Sequence, residues 1–260
     1  MDPAPGAPSH HVNNGSSPLS VFGRALLWIP RGDSTGGCLP HYIYEGRLLK
    51  TMLGPIAGVD EAGRGPLAGP VLAAAVILNR KRIPKGLNDS KQMTPEAREE
   101  AFVRIMDCAA VGVGEASVDE IDLINIRQAT HLAMARAVRA LSLTPQFALV
   151  DGNDPPALPC RCDTIIDGDA KSVSIAAASI IAKVTRDRIM QNLHEQFPNY
   201  GWFTNKGYGT EEHLVALNRF GPCQHHRRSF APVYEILRPI DSREIFWRLR
   251  VSSALTASRR

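Results

Sequence analysis

The chain has 260 residues, 44% of them hydrophobic and 22% charged, a balance that lets a globular protein bury a core without disulfides or a structural metal. Its net charge of +4 resides in the two ends and leaves residues 51–238 balanced, so overall charge carries no argument for a nucleic-acid partner. Five scattered cysteines make no disulfide framework, and no apolar run is long enough to span a membrane.

In chain order, residues 1–20 are rich in Pro, Gly, Ser and Asn and poor in large apolar side chains, a composition that predicts disorder. They lack the basic start and apolar run of a signal peptide, which leads us to expect a cytoplasmic protein. Residues 1–50 read as a largely disordered N-terminal extension, with a short helix over Tyr42–Leu49 packing on the domain. Met52 is a candidate internal start. The pattern sharpens at Pro55. Ile56–Asp60 and Gly69–Leu78 read as strands, the second largely buried. Pro95–Asp107 reads as a helix capped by Thr94, and Ala110–Ala116 as a glycine-laced strand. An Ala-rich helix is predicted over Ile126–Leu141, then strands over Phe147–Val150 and Thr164–Ile166. A long helix should run from Ser172 to Gln196 and stop at Pro198. Loop and short helix follow to Leu237, and residues 239–260 read as a basic, mobile tail. This order fits one α/β domain over residues 51–238, a central mixed sheet with helices outside.

Four acids share one kind of address. Asp60 and Glu61 end the first strand, Asp151 ends a later one, and Asp169 lies in the turn entering the long helix. Carboxylates gathered beside core strands must take up protons or share cations, and hard ions such as Mg²⁺ or Mn²⁺ suit such oxygens. Taken singly, Asp151 and Asp169 read equally as turn-formers. Joint action requires their strands to be neighbours, which spacing does not show.

The run Gly63-Arg64-Gly65-Pro66-Leu67-Ala68-Gly69 is not a dinucleotide loop, because a strand rather than a helix follows it. It is either a tight turn or a place where glycine lets backbone approach a sugar. Ser172, Ser179, Lys183 and Arg186 fall within about 60° on a helix opposite an apolar side of Ile175, Ala178, Ala182 and Ile189. That face either grips phosphates or is simply solvated. Tyr200, Trp202, Phe203, Lys206 and Tyr208, followed by His225–Phe230, read as stacking groups or as satellite packing. Cys160, Cys162 and Cys223 with His225 and His226 lack a second ligand pair at zinc spacing and read as reduced thiols.

Several motifs in one order resemble ribonuclease HII of bacteria. They are Ile56 through Val71, Asn88-Asp89-Ser90-Lys91, Val150-Asp151-Gly152-Asn153, Gly168-Asp169 with Ser179 through Asp187, Asn205 through Thr210 with His213, and His226 through Phe230. The resemblance covers residues 55–237. It implies a ribonuclease H-like fold, a five-stranded mixed sheet flanked by helices with a C-terminal helical extension. It further implies Mg²⁺ or Mn²⁺, two ions per site, on Asp60, Glu61, Asp151 and Asp169. Gly63, Arg64 and Gly65 are then expected to sense a ribose 2′-hydroxyl, Tyr208 to stack at the sugar, and Lys91, Lys183 and Arg186 to contact phosphates. The expected partners are RNA–DNA hybrids and DNA with embedded ribonucleotides, cut 5′ of the ribonucleotide by a monomer to leave 3′-hydroxyl and 5′-phosphate ends. A non-cutting hybrid-binding module and the sister enzyme ribonuclease HIII are the alternatives; Gly63–Pro66 and Tyr208 speak against the second. The first 50 residues exceed the family's short leader, the tail beyond Pro239 lies outside the resemblance, and Cys223 replaces a small hydroxyl residue without expected consequence.

Overall fold

The eight-residue apolar run is β2 (Val71–Leu78), buried at every position because both of its faces are covered. In this computed structural model residues 39–51 and 54–238 are described, all within one unit. The expectations for residues 1–20, Met52 and the tail lie outside them. A short α1 (Ile43–Thr51) leads into β1 (Ile56–Ala62), and β1, β2 and β3 (Ala109–Ala116) make an antiparallel meander. β4 (Phe147–Asp151) then pairs parallel to β1, and β5 (Arg161–Ile165) parallel to β4. The order β3-β2-β1-β4-β5 is the five-stranded mixed sheet expected.

Between them run α2 (Pro95–Cys108), capped by the Thr94 side chain, and α3 (Val118–Arg139). The sequence reading started α3 eight residues late. Ser117 and Glu120 form a reciprocal capping box that starts the helix at Val118, and Asn125, at φ 66°, kinks it just before the Ala-rich part. The long α4 (Val173–Gln196) ends at Phe197, and short helices α5 (Trp202–Asn205), α6 (Glu211–Phe220) and α7 (Ala231–Leu237) follow within the described residues. Among the described residues no helix is long and apolar enough to cross a membrane.

Strand alternation divides the core. Leu72, Ala74 and Val76 of β2 pack with α4 and α2, while Val71, Ala73 and Ala75 pack with α3. The glycines of β3 belong to this packing. A Cβ at Gly114 would stand 2.4 Å from the Ala133 carbonyl, so the strand is glycine-laced because α3 lies directly on it.

Of the two readings of the polar stripe of α4, the solvated face does not hold for its first half: from Val173 to Ala182 every residue is buried, Ser179 included, and Arg186 is 1% exposed, while Lys183 is only half-buried. Spacing identifies a polar stripe without revealing where protein packs over it.

Candidate active site

Parallel pairing of β1 with β4 brings the acids together. The register runs to Val59 opposite Val150, so Asp60 and Asp151 come next, side by side, from positions 91 residues apart. Asp60 lies opposite Ala74 and opens on the α4 side; Glu61 lies opposite Ala73 and opens on the α3 side. β5 ends at Ile165 beside Asp151, and a tight turn carries Asp169. The Gly168 amide donates to Asp151 Oδ1 at 2.7 Å, tying that turn to β4. The four acids predicted from sequence therefore converge on the ends of adjacent strands.

Their environment disfavours charge. Burial, then the charges of Glu61 and Asp151, hold Asp60 well above the usual carboxylate range, against the Glu61 amide and the Ser179 hydroxyl that bond it. Burial raises Glu61 as well, although Arg64 and Lys91 oppose this. Burial, Asp151 and Asp89 push Asp169 up to about 6. Lys91 responds in reverse: burial lowers it, but the charges of Asp169, Asp60, Asp89 and Asp151 outweigh that and raise it. Asp89, whose charge helps raise Asp169, is a fifth acid near the site to which the sequence pattern assigns no role.

Hard carboxylate oxygens that press one another's protons on are a donor set that divalent cations fit. Among the described residues no three His, Cys, Asp or Glu side chains are already drawn in to metal-ligand spacing. The fit therefore rests on the chemistry of the donors and their shared location.

Beside Asp60 and Glu61 lies a groove lined by Gly63, Ser90, Lys91, Lys183, Arg186 and Tyr208. Arg98 of α2 donates to the Ser90 and Met93 carbonyls and so fixes the loop carrying Lys91. Lys183 is bonded to Asp187 at 2.7 Å. Tyr208 is 47% exposed, and its carbonyl accepts from His213 Nδ1 at 2.8 Å.

The two glycines flanking Arg64 serve different ends. Gly63, at φ +94°, has Arg186 Nε where its Cβ would go, 1.9 Å away. Gly65 has no such neighbour; a Cβ there would only approach Tyr208 Cε1, at 3.5 Å. Arg64 and Gly65 are exposed while Gly63 is buried.

Arg186, placed at a phosphate by resemblance, borders the groove and donates to the Pro70, Ala68 and Lys206 carbonyls. Arg227, left among packing residues by sequence, is fully buried and donates to the Gly69, Arg64 and Gly63 carbonyls. The aromatic stretch is mainly packing, with Tyr200 and Trp202 buried and stacked at 5.1 Å.

The sequence pattern of the family described as Ribonuclease HII matches residues 57–233. The Ribonuclease HII of Parvibaculum lavamentivorans is 58% identical over 185 residues, 71% of this chain and 69% of that one. That of Cereibacter sphaeroides is 55% identical over 199 residues, 76% of this chain and 94% of that one. Among solved structures, ribonuclease H2 from Pyrococcus horikoshii is similar at a TM-score of 0.60 and 29% identity, covering 70% of this chain and 96% of that one. A ribonuclease HII solved with PCNA from Archaeoglobus fulgidus is similar at a TM-score of 0.58 and 28% identity, covering 68% of this chain and 95% of that one. Bst-RNase HIII, solved with Mn²⁺, shares the fold at 21% identity and a TM-score of 0.58 over 73% of this chain and 72% of that one.

Proposed function

The chain belongs to the ribonuclease HII family, a family of ribonuclease H hydrolases acting on RNA–DNA hybrids, and from that premise we propose that it also cuts duplex DNA 5′ of an embedded ribonucleotide, leaving 3′-hydroxyl and 5′-phosphate ends. The observation that carries the reading is the meeting of Asp60, Glu61, Asp151 and Asp169 at adjacent strand ends, beside a loop whose exposed residues are Arg64 and Gly65.

Asp60, Glu61, Asp151 and Asp169 would hold two Mg²⁺ or Mn²⁺ ions. Such ions, when bound, supply an activated water and neutralise the leaving oxygen. The chain's own residues do the rest. Asp60, next to Glu61 along β1 and beside Asp151 across the strand pair, would be the central ligand of the set. Lys91, among the acids, and Lys183, in the same groove, stand where a scissile strand's phosphates would lie. The Arg64 and Gly65 amides have no partner within the chain among the described residues and can bond a 2′-hydroxyl. Tyr208 lies beside Gly65 and is the aromatic ring placed to stack on the sugar. The proposed catalytic unit is residues 51–238, acting as a monomer.

The test is a labelled DNA duplex with one ribonucleotide, incubated with protein and Mg²⁺ or Mn²⁺, with Asp60→Asn as control. One metal-dependent cut 5′ of the ribonucleotide, absent in the variant, is expected. Cutting of a long RNA–DNA hybrid but not of this duplex would overturn the junction reading. Undiminished turnover by Asp60→Asn would overturn the role of the acids.

A further inference from the structure

Two buried guanidiniums lie behind the 63–70 loop, and neither makes an ion pair among the described residues. Arg186 gives its donors to the carbonyls of Pro70, Ala68 and Lys206 at 3.0–3.1 Å. Arg227 gives its donors to Gly69, Arg64 and Gly63 at 2.6–3.0 Å. Burial draws both below the usual arginine range, to about 10 and about 9, and Arg186 adds to the effect on Arg227. Burying two like charges side by side, matched only by carbonyl dipoles, is a costly way to satisfy a turn. An arrangement that unfavourable points to a constraint on the shape of the loop.

The geometry specifies that shape. Across a trans peptide the C=O and N–H point in opposite directions. With the Gly63 and Arg64 carbonyls turned inward to Arg227, the amides of Arg64 and Gly65 must point outward. The remaining pairings lock the rest: the Leu67 amide donates to the Gly207 carbonyl, the Gly69 amide to that of His225, and the Arg227 amide to that of Leu67. Arg186 also reaches the Lys206 carbonyl, two residues before Tyr208, so it joins the loop to the turn that presents the tyrosine. A third device fixes that turn. The Cys223 amide can only donate, so His226 Nδ1 accepts, and the His226 proton sits on Nε2 facing His213 Nε2. His213 Nε2 also accepts from Trp202 Nε1, which leaves its own proton on Nδ1 for the Tyr208 carbonyl.

We propose that Arg186 and Arg227 are positioning residues for recognition of the ribose: they turn the Arg64 and Gly65 amides outward and hold them at a fixed distance from Tyr208. Both act through the loop, since their donors go to backbone carbonyls rather than to the acids. Their effect is on which sugar is accepted. The proposal rests on the reading that this loop meets a 2′-hydroxyl.

The test measures binding of two DNA duplexes of one sequence, one with a single ribonucleotide and one without. It uses the full chain carrying Asp60→Asn to prevent cutting. Arg227→Lys and Arg186→Lys keep the charge but replace the planar fork by a point donor. In either folded variant the preference for the ribonucleotide duplex should fall by about tenfold, the worth of one or two misplaced hydrogen bonds. Affinity for the all-DNA duplex should stay within about twofold, since phosphate contacts do not pass through the pair. If the parent shows no preference, the reading of the loop itself is wrong. If the parent discriminates and both folded variants discriminate as well, or both affinities fall together, the positioning role is overturned. If neither variant folds, the pair is a folding element and the proposal falls; if only one folds, that one decides.

Discussion

Gly65 and Tyr208 face each other so closely that a Cβ on the glycine would stand 3.5 Å from Tyr208 Cε1, while the glycine two residues earlier has Arg186 where its Cβ would be. Alanine should separate the two roles. Gly63→Ala meets a φ of +94° and the Arg186 side chain, and should cost about 1–3 kcal/mol of stability as well as activity. Gly65→Ala should fold with stability within about 0.5 kcal/mol of the parent, yet lose activity on RNA–DNA hybrids. Denaturant melts beside initial rates on one hybrid check both. Equal destabilisation by the two variants would remove the distinction.

Asp60→Asn should be inactive and yet more stable than the parent when metal is absent. The folded state holds the Asp60 carboxyl well above its unfolded value, so near-neutral pH the native protein keeps an unfavourable charge. Between the unfolded and folded values the native state binds more protons than the unfolded one, so stability falls as pH rises through that window. Asparagine removes this. In EDTA its melting temperature should exceed the parent's by several degrees at pH 7.5, about 2–4 °C per kcal/mol, and by less at pH 5. A variant that melts below the parent at pH 7.5 would refute the account.

The same acids should make metal binding depend on pH. With Asp169 raised to about 6, cation and proton compete, so Mg²⁺ or Mn²⁺ affinity should weaken as pH drops below about 6 and binding should release protons near neutrality. Calorimetry of Mn²⁺ binding in two buffers of different ionisation enthalpy reads the released protons directly. Binding that is independent of pH from 5 to 8 would contradict it.

His226 works in the opposite direction. Burial and His213 hold it down to about 4, below its ordinary 6.5, so it stays neutral in the folded chain. Between those values the unfolded state binds the extra proton, and the stability it contributes is lost as pH falls from about 6.5 toward 4. His226→Gln should flatten that part of the stability curve relative to the parent. Because the His213 partner is disturbed as well, Tyr208 should lose its fixed position. Urea melts across pH 4–7 test the first statement, and the line width of a Tyr208 ring resonance the second.

Glu45 predicts that α1 is needed for stability although it precedes the family match at residue 57. The carboxylate is 1% exposed, and Oε1 accepts from the Ser172 hydroxyl, the Ser174 hydroxyl and the Ser174 amide at the start of α4. Glu45→Ala strands those donors and should cost about 2–3 kcal/mol, with cleavage of hybrids unchanged at low temperature. Equilibrium urea unfolding of the full chain measures it.

Much of this molecule was legible in the linear order of residues. Asp60, Glu61, Asp151 and Asp169 each announce themselves as acids at the end of a strand or in a turn, and the motifs around them carry the family. Strand and helix positions followed from apolar periodicity and caps, which are local. Packing decided what local pattern does not encode. That Asp60 and Asp151 are neighbours depends on β1 and β4 pairing in parallel across the sheet. Ser172, Ser179 and Arg186 read as an outward stripe because spacing fixes an angle around a helix, not what lies over it; tertiary contacts buried all three. Arg227 looked like one cation among several, and only the approach of residues 63–70 gave it three carbonyls to hold. Sequence determined which groups could do chemistry, since that is a property of side chains; the tertiary structure alone decided which of them meet at adjacent strand ends and which are buried on backbone carbonyls.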